Sequence, residues 1–318
     1  MELRRLGRTD LCVSVVGLGG NNFGWKADLA GARSIIDRAL ACGVNFLDTA
    51  DSYGPSEDFI GEILGERRKN VVLATKFGSP MDSEGLKKGA SRAYLTTAVE
   101  SSLRRLRTDW IDLYQLHYPD PATPIEETLR ALEDFITQGK VRAIGCSHLS
   151  AAQLGDAQET ARRIGLTGFA STQNEYNLLV RNIESDLGPQ IAKYELALLP
   201  YFPLANGLLT GKYKPGQAAP AGTRLADAPP FFDSYREAAK WETAAKLQAF
   251  AAARGHTLLE LAFSWLAAQP GVSSVIAGAS RPEQVEQNAG AACWMETSAE
   301  LAEVDRLAKP WRGVGKVT

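Results

Sequence analysis

The segment IDLYQLHYPDPATPIEETLRALEDFITQGKVRAIGCS, residues 111–147, decides the fold class because it contains a complete strand–helix–strand unit. Apolar residues dominate its two ends, IDLYQLH and VRAIGCS, and predict strands there. The middle part, PIEETLRALEDFITQ, has apolar residues at helical spacing. Because a helix joins the two strands, they are expected to run parallel.

The predicted helix in this segment has clear end signals. Thr123 and Glu126 are predicted to form a capping box around Pro124, and Gly139 follows the last turn. Another helix is predicted in YLTTAVESSLRRLR, residues 94–107. Its expected buried face consists of Leu95, Ala98, Val99, Leu103 and Leu106.

The same alternation recurs along the chain and gives eight predicted strands. The other six are SVVGLG (14–19), VNFLDT (44–49), VVLATK (71–76), FASTQNE (169–175), ALLPYFP (197–203) and SSVIAG (273–278). This pattern predicts an α/β fold in which a parallel sheet closes into a (β/α)8 TIM barrel, as a single domain over residues 1–318. An open, doubly wound sheet is the alternative.

Two regions break the alternation. The start of the chain, ELRRLGRTDLCVSVVGLG (2–19), has too many short extended pieces for one strand and predicts an N-terminal β-hairpin over the barrel floor. Residues 205–235 are rich in Gly, Pro and Ala and predict a long loop after strand 7, followed by a helix at 234–253. Long loops in compact domains are commonly functional, so we interpret this one as a flap.

Composition restricts the class of protein. The chain is 45% hydrophobic and 23% charged, which is typical of a soluble globular protein. No apolar run approaches the roughly 18 residues of a membrane span, and no membrane partner is expected. The net charge of -2 without a basic run argues against nucleic acid as a partner. The start MELRRLGRTD is followed by no apolar core of a secretory signal, so a cytoplasmic location is expected.

Cysteine and histidine spacing indicates neither disulfides nor a metal site. Cys12, Cys42, Cys146 and Cys293 lie far apart, and we expect reduced, buried thiols. The three histidines show no HxH or HExxH spacing, so no metal is predicted.

Polar residues stand at the ends of three consecutive predicted strands. NFLDTADSYG supplies Asp48 and Tyr53, VVLATKFG supplies Lys76, and LYQLHYPD supplies His117. In a parallel barrel these strand ends lie on one face, where barrel enzymes carry their chemistry. The four side chains are of the types needed for proton transfer to a carbonyl group.

The chemistry of carbonyl reduction suggests a role for each of these residues. Tyr53 is the candidate general acid, and a nearby Lys76 cation is expected to lower its pKa. Asp48 is expected to hold the Lys76 ammonium group in place. His117 is expected to bind and orient the substrate oxygen.

The ordered set FLDTADSYG, ATKFG and LYQLHYPD resembles the catalytic tetrad of the aldo-keto reductase family, barrels that reduce carbonyl compounds with a nicotinamide cofactor. Further similar motifs, in the order of the family, are RRLGRTDLCVSVVGLGG, GKVRAIGCS, STQNEYNLL, PLANGLLTGKY and IAGASRPEQVEQN. The resemblance implies an NADP-dependent oxidoreductase that reduces small-molecule aldehydes or ketones with NADPH. NADH is the weaker alternative cofactor.

The nicotinamide end of the cofactor site follows from this resemblance and not from a glycine fingerprint. GLGGNNFG at 17–24 has Asn22 where a dinucleotide-binding fingerprint requires glycine. The resemblance instead assigns Ser147 and Gln173 to the carboxamide, and Tyr201 to stacking on the nicotinamide.

At the nicotinamide end, two implied cofactor positions depart from the family. His148 stands where many relatives carry Asn, and Phe202 where many carry Ser. The resemblance also implies a pyrophosphate cover in NGLLTGK, with Gly207, Leu208 and Lys212. Leu204 is a further implied cofactor position.

A phosphate site is predicted at GASRPEQ, residues 278–284. Ser280 and Glu283 are predicted to form a capping box, so that backbone N–H groups, a helix dipole and the Arg281 guanidinium converge. The resemblance assigns Arg281 to the adenosine 2′-phosphate of NADPH. The resemblance implies further contacts to the adenosine end from Gln284, Gln287 and Asn288. Gly278 is another implied cofactor position, and many relatives carry Arg or Lys where this chain has Gly278 or Gln284.

The candidate substrate pocket is aromatic. Its predicted walls are Phe23, Trp25, Phe77 and Tyr118. Aromatic walls with few charges favour an apolar or mixed aldehyde or ketone over a phosphorylated sugar.

Two other functions compete with reduction. Barrels that resemble this family also serve as cofactor-binding regulatory subunits of membrane channels, with little turnover. A Schiff-base aldolase would use Lys76 as its nucleophile, which requires an uncharged amine, and the carboxylate of Asp48 argues against that state. No oligomeric state is predicted.

Overall fold

The computed structural model describes residues 1–81, 88–221, 223–227, 230–294 and 297–308. The chain begins with the predicted antiparallel hairpin, formed by β1 (Leu3–Arg5) and β2 (Cys12–Ser14). Leu6 and Val13 are fully buried and belong to a cluster of apolar side chains from the barrel strands. The hairpin therefore closes one end of the barrel.

Eight parallel strands form one sheet around the molecule. They are β3 (Val16–Gly19), β4 (Phe46–Asp48), β5 (Val72–Phe77), β6 (Ile111–Leu116), β7 (Val141–Ser147), β8 (Ser171–Glu175), β9 (Ala197–Tyr201) and β10 (Val275–Gly278). Each of β3 to β9 pairs with the next strand along the chain, and β10 pairs with β3. An isolated bridge between Leu198 on β9 and Val272, three residues before β10, connects the two ends of the sheet. This order confirms the predicted (β/α)8 barrel over the open sheet.

Helices surround the sheet. They are α1 (Leu29–Ala41), α2 (Ser56–Leu64), α3 (Arg92–Leu106), α4 (Ile125–Thr137), α5 (Ala151–Ile164), α6 (Gly188–Lys193), α7 (Arg224–Asp227), α8 (Ala238–Ala252), α9 (Leu258–Ala267), α10 (Pro282–Ala291) and α11 (Ser298–Ala308), with 3-10 helices at Gly65–Asn70, Asn182–Glu184, Ala205–Thr210 and Pro230–Arg236. Within the described ranges, none of them combines the length and the apolar character that crossing a bilayer requires.

The predicted apolar face of α3 is confirmed, but the predicted N-terminus of α4 is not. All five residues of the α3 face are buried. Pro124 precedes the first residue of α4, and no side chain caps that end. The Thr123 hydroxyl donates instead to Asp120 Oδ2, at 2.7 Å. The predicted capping box of Thr123 and Glu126 is therefore wrong, because the Asp120 carboxylate binds the Thr123 hydroxyl.

The region at 205–235 is not the uninterrupted loop that the sequence predicts. Two 3-10 helices and α7 occupy part of it, and residues 222, 228 and 229 lie outside the described residues. The next helix, α8, begins later than predicted because residues before it form a 3-10 helix. Leu225 and Tyr235 are buried, and the Tyr235 hydroxyl donates to the Glu175 carboxylate at the end of β8. These contacts attach the region to the barrel.

The cysteines are free, but they are not all buried as predicted. Cys146 on β7 is buried, Cys42 is half-buried, and Cys12 and Cys293 are exposed. Cys12 belongs to the hairpin rather than to the barrel, and Cys293 follows the end of α10, so neither is covered by the helix layer.

Candidate active site

A cavity of about 670 Å³ lies at the carboxyl ends of the barrel strands. Its volume is within the roughly 300–1,000 Å³ typical of small-molecule sites. Most of the predicted site residues line it, and these are Asp48, Tyr53, His117, Tyr118, His148, Gln173, Tyr201, Phe202, Leu204, Gly207, Lys212, Gly278, Ser280, Arg281, Gln284, Gln287 and Asn288. The fold thus brings segments from the whole length of the chain to one cavity.

A buried ion pair borders the cavity. Lys76 Nζ lies 2.5 Å from Asp48 Oδ2 and donates a second hydrogen bond, of 2.9 Å, to the carbonyl oxygen of Thr49. Asp48 is the last residue of β4, and Lys76 lies near the end of the neighbouring strand β5. Both side chains are almost completely shielded from solvent.

Two glutamine amides hold the other oxygen of Asp48. Gln115 Nε2 and Gln173 Nε2 each donate to Asp48 Oδ1 at 2.9 Å. Gln173 was predicted to bind the nicotinamide carboxamide, whereas Gln115 was not predicted at all. Its signal in the sequence is its position two residues before His117, because residues i and i+2 of a strand share a face.

The electrostatic surroundings keep Lys76 protonated. Burial alone would lower its pKa, but the adjacent carboxylate of Asp48 and the Tyr53 hydroxyl more than offset this, and the pKa is raised. The ammonium group is therefore a fixed positive charge at neutral pH.

Tyr53 lies between this charge and His117. Lys76 Nζ is 5.2 Å from the centroid of the Tyr53 ring, and the Tyr53 and His117 rings meet edge to face at 5.7 Å. Burial raises the pKa of Tyr53, and the opposing effect of Lys76 offsets it only in part. The sequence-based expectation of a lowered pKa took the cation into account but not the desolvation. The phenol is thus protonated at neutral pH.

His117 is neutral and oriented. Burial, together with the nearby Lys76 charge, lowers the pKa of His117 to about 2. Its Nδ1 lies 2.9 Å from Ser79 Oγ, a buried residue that the sequence analysis missed. Ser79 follows β5 closely, so the loop after this strand was the signal for it.

The residues predicted at the nicotinamide end lie together but also bind one another. The Ser147 hydroxyl donates to the carbonyl oxygen of Gln173 at 2.7 Å. His148 Nε2 and the Tyr201 hydroxyl are 2.9 Å apart. The ring of Phe202 packs edge to face on that of Tyr201, with centroids 5.0 Å apart.

The predicted phosphate site has a different capping contact from the expected one. Gln284 Oε1 accepts hydrogen bonds from the backbone N–H of Ser280, at 2.8 Å, and from its hydroxyl, at 3.2 Å. The predicted box of Ser280 and Glu283 is therefore wrong, because α10 starts at Pro282 and Gln284 is the side chain that reaches Ser280. Arg281 precedes α10 and lines the cavity.

The predicted pyrophosphate cover is only partly at the cavity. Gly207 and Lys212 line it, whereas Leu208 is 2% exposed and belongs to the core. Gly207 has φ +96°, and a Cβ there would lie 3.2 Å from Lys212 Nζ, so glycine lets the chain turn beneath the lysine.

The loop after β3 adds residues that the sequence analysis did not select. Asn21, Asn22 and Lys26 line the cavity. Asn22 Nδ2 donates to the carbonyl oxygen of Ala279 at 3.1 Å and so ties this loop to the phosphate site.

The four aromatic residues predicted as substrate walls are not all at the cavity. Tyr118 lines it and is 47% exposed. Phe23 and Phe77 are buried in the core, and Phe77 packs on Tyr114 with centroids 4.6 Å apart. Trp25 is exposed outside the cavity lining.

The chain is similar to known proteins over nearly its whole length. A family model described as the aldo/keto reductase family matches residues 15–309. A probable voltage-gated potassium channel subunit beta of Arabidopsis thaliana is 36% identical over 304 residues, which cover 91% of this chain and 90% of that protein. Aldo-keto reductase YhdN of Bacillus subtilis (strain 168) is 33% identical over 316 residues, or 96% of this chain and 93% of the relative. The uncharacterized oxidoreductase YrpG of the same bacterium is 35% identical over 300 residues, or 90% and 89% of the two chains.

Proposed function

The chain belongs to the aldo/keto reductase family, and from that premise we propose that it reduces aldehydes or ketones to alcohols with NADPH. Family membership supports oxidoreductase activity in general. The observation that carries the more specific proposal is the Lys76–Asp48 ion pair, which lies buried beside the phenol of Tyr53 at the cavity.

Tyr53 is the proton donor in this proposal. Its raised pKa keeps the hydroxyl protonated before the reaction. When bound, the reduced nicotinamide supplies the hydride that the carbonyl carbon receives. Tyr53 Oη gives its proton to the carbonyl oxygen, and the Lys76 ammonium stabilises the phenolate that remains. Asp48, held by two glutamines, keeps that ammonium in position.

His117 orients the carbonyl oxygen. Its pKa of about 2 excludes an imidazolium at neutral pH, so it acts as a neutral hydrogen-bonding group and not as the acid. The contact between Nδ1 and Ser79 leaves Nε2 for the substrate oxygen.

The charges at the cavity fit a phosphorylated dinucleotide. Lys26, Lys212 and Arg281 line it, and none of the three has an ion pair within the described ranges of the chain. Asp48 is the only acidic residue among the described lining residues, and Lys76 neutralises it. The surplus of positive charge favours the phosphates of the cofactor. Arg281, next to the N-terminus of α10, is the proposed partner of the 2′-phosphate.

The exposed aromatic side chain at the cavity supports the proposed substrate class. Tyr118 is the predicted wall residue that lines the cavity, and its ring is partly open to solvent. Such a surface favours an apolar or mixed carbonyl compound over a highly charged one.

A regulatory subunit is the second candidate function. Relatives from Arabidopsis thaliana and Oryza sativa subsp. japonica, each 36% identical, are named probable voltage-gated potassium channel subunits beta. Such a role would require cofactor binding but little turnover.

The aldolase alternative is less well supported. A Schiff base forms from a neutral amine. The raised pKa of Lys76 and its contact with Asp48 keep this amine protonated. Lys76 therefore has the properties of a fixed charge and not of a nucleophile.

A panel of aldehydes and ketones, assayed by the loss of NADPH or NADH absorbance, tests the proposal. Reduction of apolar carbonyl compounds at steady turnover, faster with NADPH, is the expected result. Tight NADPH binding without turnover on any member of the panel would favour the regulatory role. A covalent adduct on Lys76 after borohydride treatment with substrate would favour the aldolase.

A further inference from the structure

Both ring nitrogens of His148 have partners within the protein. Nδ1 lies 2.9 Å from the carbonyl oxygen of His117 and 2.9 Å from Ser147 Oγ. Nε2 lies 2.9 Å from the hydroxyl oxygen of Tyr201. The ring also stacks on that of Tyr118, with centroids 4.2 Å apart and an angle of 13° between the planes. Hydrogen bonds thus hold the imidazole in its plane, and the Tyr118 ring covers one of its faces.

These partners determine the tautomer of His148. A carbonyl oxygen can only accept, so the contact with His117 requires a hydrogen on Nδ1. Burial lowers the pKa of His148, which is therefore neutral at physiological pH and has no hydrogen on Nε2. The Tyr201 hydroxyl must then donate to the Nε2 lone pair. The chain of hydrogen bonds runs from Tyr201 through His148 to the backbone of His117.

This chain of hydrogen bonds leaves His148 without a free donor for a ligand. Its N–H group is directed to the His117 carbonyl, and its lone pair is occupied by the Tyr201 hydroxyl. The neighbouring hydroxyl of Ser147 donates to the carbonyl oxygen of Gln173. Both ring nitrogens of His148, an implied cofactor position, are therefore engaged within the protein.

The backbone at His148 supports a fixed role. Its φ is +60°, in the left-handed region that residues other than glycine rarely adopt. It directly follows Ser147, the last residue of β7. This turn directs the ring toward Tyr201 at the end of β9.

We propose that His148 is a positioning residue, which fixes the hydroxyl and hence the ring of Tyr201, and that it does not bind the nicotinamide carboxamide. The inference rests on the proposed function in one respect, namely that the Tyr201 ring is the surface on which the nicotinamide stacks. Removal of the His148 acceptor should loosen this surface.

Nitrogen-15 NMR of the imidazoles tests the hydrogen-bond chain without any need for activity. The 318-residue chain has three histidines, so His148 can be assigned from the signal that is lost in His148→Asn. We expect the neutral Nδ1–H tautomer at pH 7. Tyr201→Phe should shift the Nε2 resonance of His148, whereas Tyr194→Phe, which removes a hydroxyl bound to Glu159 near the surface, should not. A hydrogen on Nε2, or an Nε2 resonance unchanged in Tyr201→Phe, would overturn the proposal.

A double-mutant cycle on NADPH affinity tests the positioning role itself. His148→Asn keeps a donor near the place of Nδ1 but has no group at the place of Nε2, whereas the longer side chain in His148→Gln can still accept from Tyr201. We expect His148→Asn and Tyr201→Phe each to weaken NADPH binding by roughly two- to tenfold, as for one lost hydrogen bond. The double variant should bind NADPH no more weakly than the weaker-binding of the two single variants. The affinity of His148→Gln for NADPH should lie within about twofold of the wild-type affinity.

The outcomes separate this inference from the proposed function. Independent losses that multiply in the double variant would indicate that His148 contacts the cofactor directly, and would overturn the positioning role. If NADPH does not bind the wild-type protein, the proposed function fails, but the NMR result still decides the hydrogen-bond chain. Circular dichroism of each variant identifies any loss of the fold.

Discussion

Lys76 Nζ and Asp48 Oδ2 lie 2.5 Å apart at the ends of neighbouring strands, and both side chains are buried. Desolvation offsets much of the attraction in such a pair, so stability alone does not account for it. Its clear effect is on charge, because the pair keeps a cation beside Tyr53 in a site shielded from water. In the proposed reaction, this cation stabilises the phenolate that Tyr53 becomes.

Lys76→Met should impair both stability and activity. The substitution leaves the Asp48 carboxylate buried without its cation, so the free energy of unfolding in urea should fall by about 3–5 kcal/mol. Reduction of a good substrate should slow by roughly 10²-fold or more, because the Tyr53 phenolate loses its stabilising charge.

Two variants serve as controls for Lys76→Met. Lys193→Met removes a solvent-exposed lysine that pairs with Glu159, and should change the free energy of unfolding far less than Lys76→Met does. The double variant Asp48→Asn/Lys76→Met removes both charges and should regain most of the stability but not the activity. If it regained activity as well, the charge of Lys76 would not be required for catalysis.

Arg281→Ala should discriminate between the two cofactors. Arg281 lines the cavity beside the N-terminus of α10, and only NADPH carries a 2′-phosphate for it to bind. The Michaelis constant for NADPH should rise by roughly tenfold or more, while that for NADH changes little. The control is Arg254→Ala, which removes an arginine that pairs with Glu300 and does not line the cavity. Equal changes for both cofactors would contradict the assignment to the 2′-phosphate.

Asp51→Asn should stabilise the protein increasingly as the pH rises. Burial, reinforced by Glu57, raises the pKa of Asp51 from 3.8 to about 7, and its Oδ1 has no hydrogen-bond partner among the described residues. The folded state therefore binds the proton more tightly than the unfolded state. Protonation of Asp51 therefore stabilises the folded state. This stabilisation is complete below about pH 4 and is lost as the pH rises to about 7.

The side-chain amide in Asp51→Asn does not ionise, so this variant should not show the loss of stability with rising pH. Between pH 5 and pH 8, the free energy of unfolding of Asp51→Asn relative to wild type should increase by about 2–3 kcal/mol. Urea unfolding at several pH values measures it. Asp156→Asn, at an exposed position of α5, should show no such trend. A constant difference between Asp51→Asn and wild type would indicate that Asp51 is ionised in the folded protein.

The strand ends were predictable because parallel strands end on one face of a barrel. Asp48, Lys76 and His117 each follow or finish an apolar run. These positions bring Asp48 and His117 to the cavity, and Lys76 into contact with Asp48. The same alternation shows why Phe77 was assigned wrongly to a cavity wall. It directly follows Lys76, so its side chain points to the opposite face of β5 and packs on Tyr114.

Other features depend on contacts that sequence spacing does not specify. Whether Glu283 or Gln284 reaches Ser280 depends on where α10 begins, and boundaries of helices are the least predictable part of an element. The pKa of Tyr53 depends on the balance between burial and the charge of Lys76, which needs the packed structure. The partners of both nitrogens of His148 likewise come from three separate strand ends.

The most direct test of the central claim is the rate of carbonyl reduction by Tyr53→Phe, with Tyr118→Phe as the matched loss of a hydroxyl at the same cavity. The substitution removes the proposed acid but keeps the ring. We predict a fall in kcat of at least roughly 10²-fold, with NADPH affinity by fluorescence quenching nearly unchanged, and a rate for Tyr118→Phe within a few-fold of wild type. A Tyr53→Phe protein that reduces its substrate at nearly the wild-type rate would contradict the assignment of Tyr53 as the proton donor.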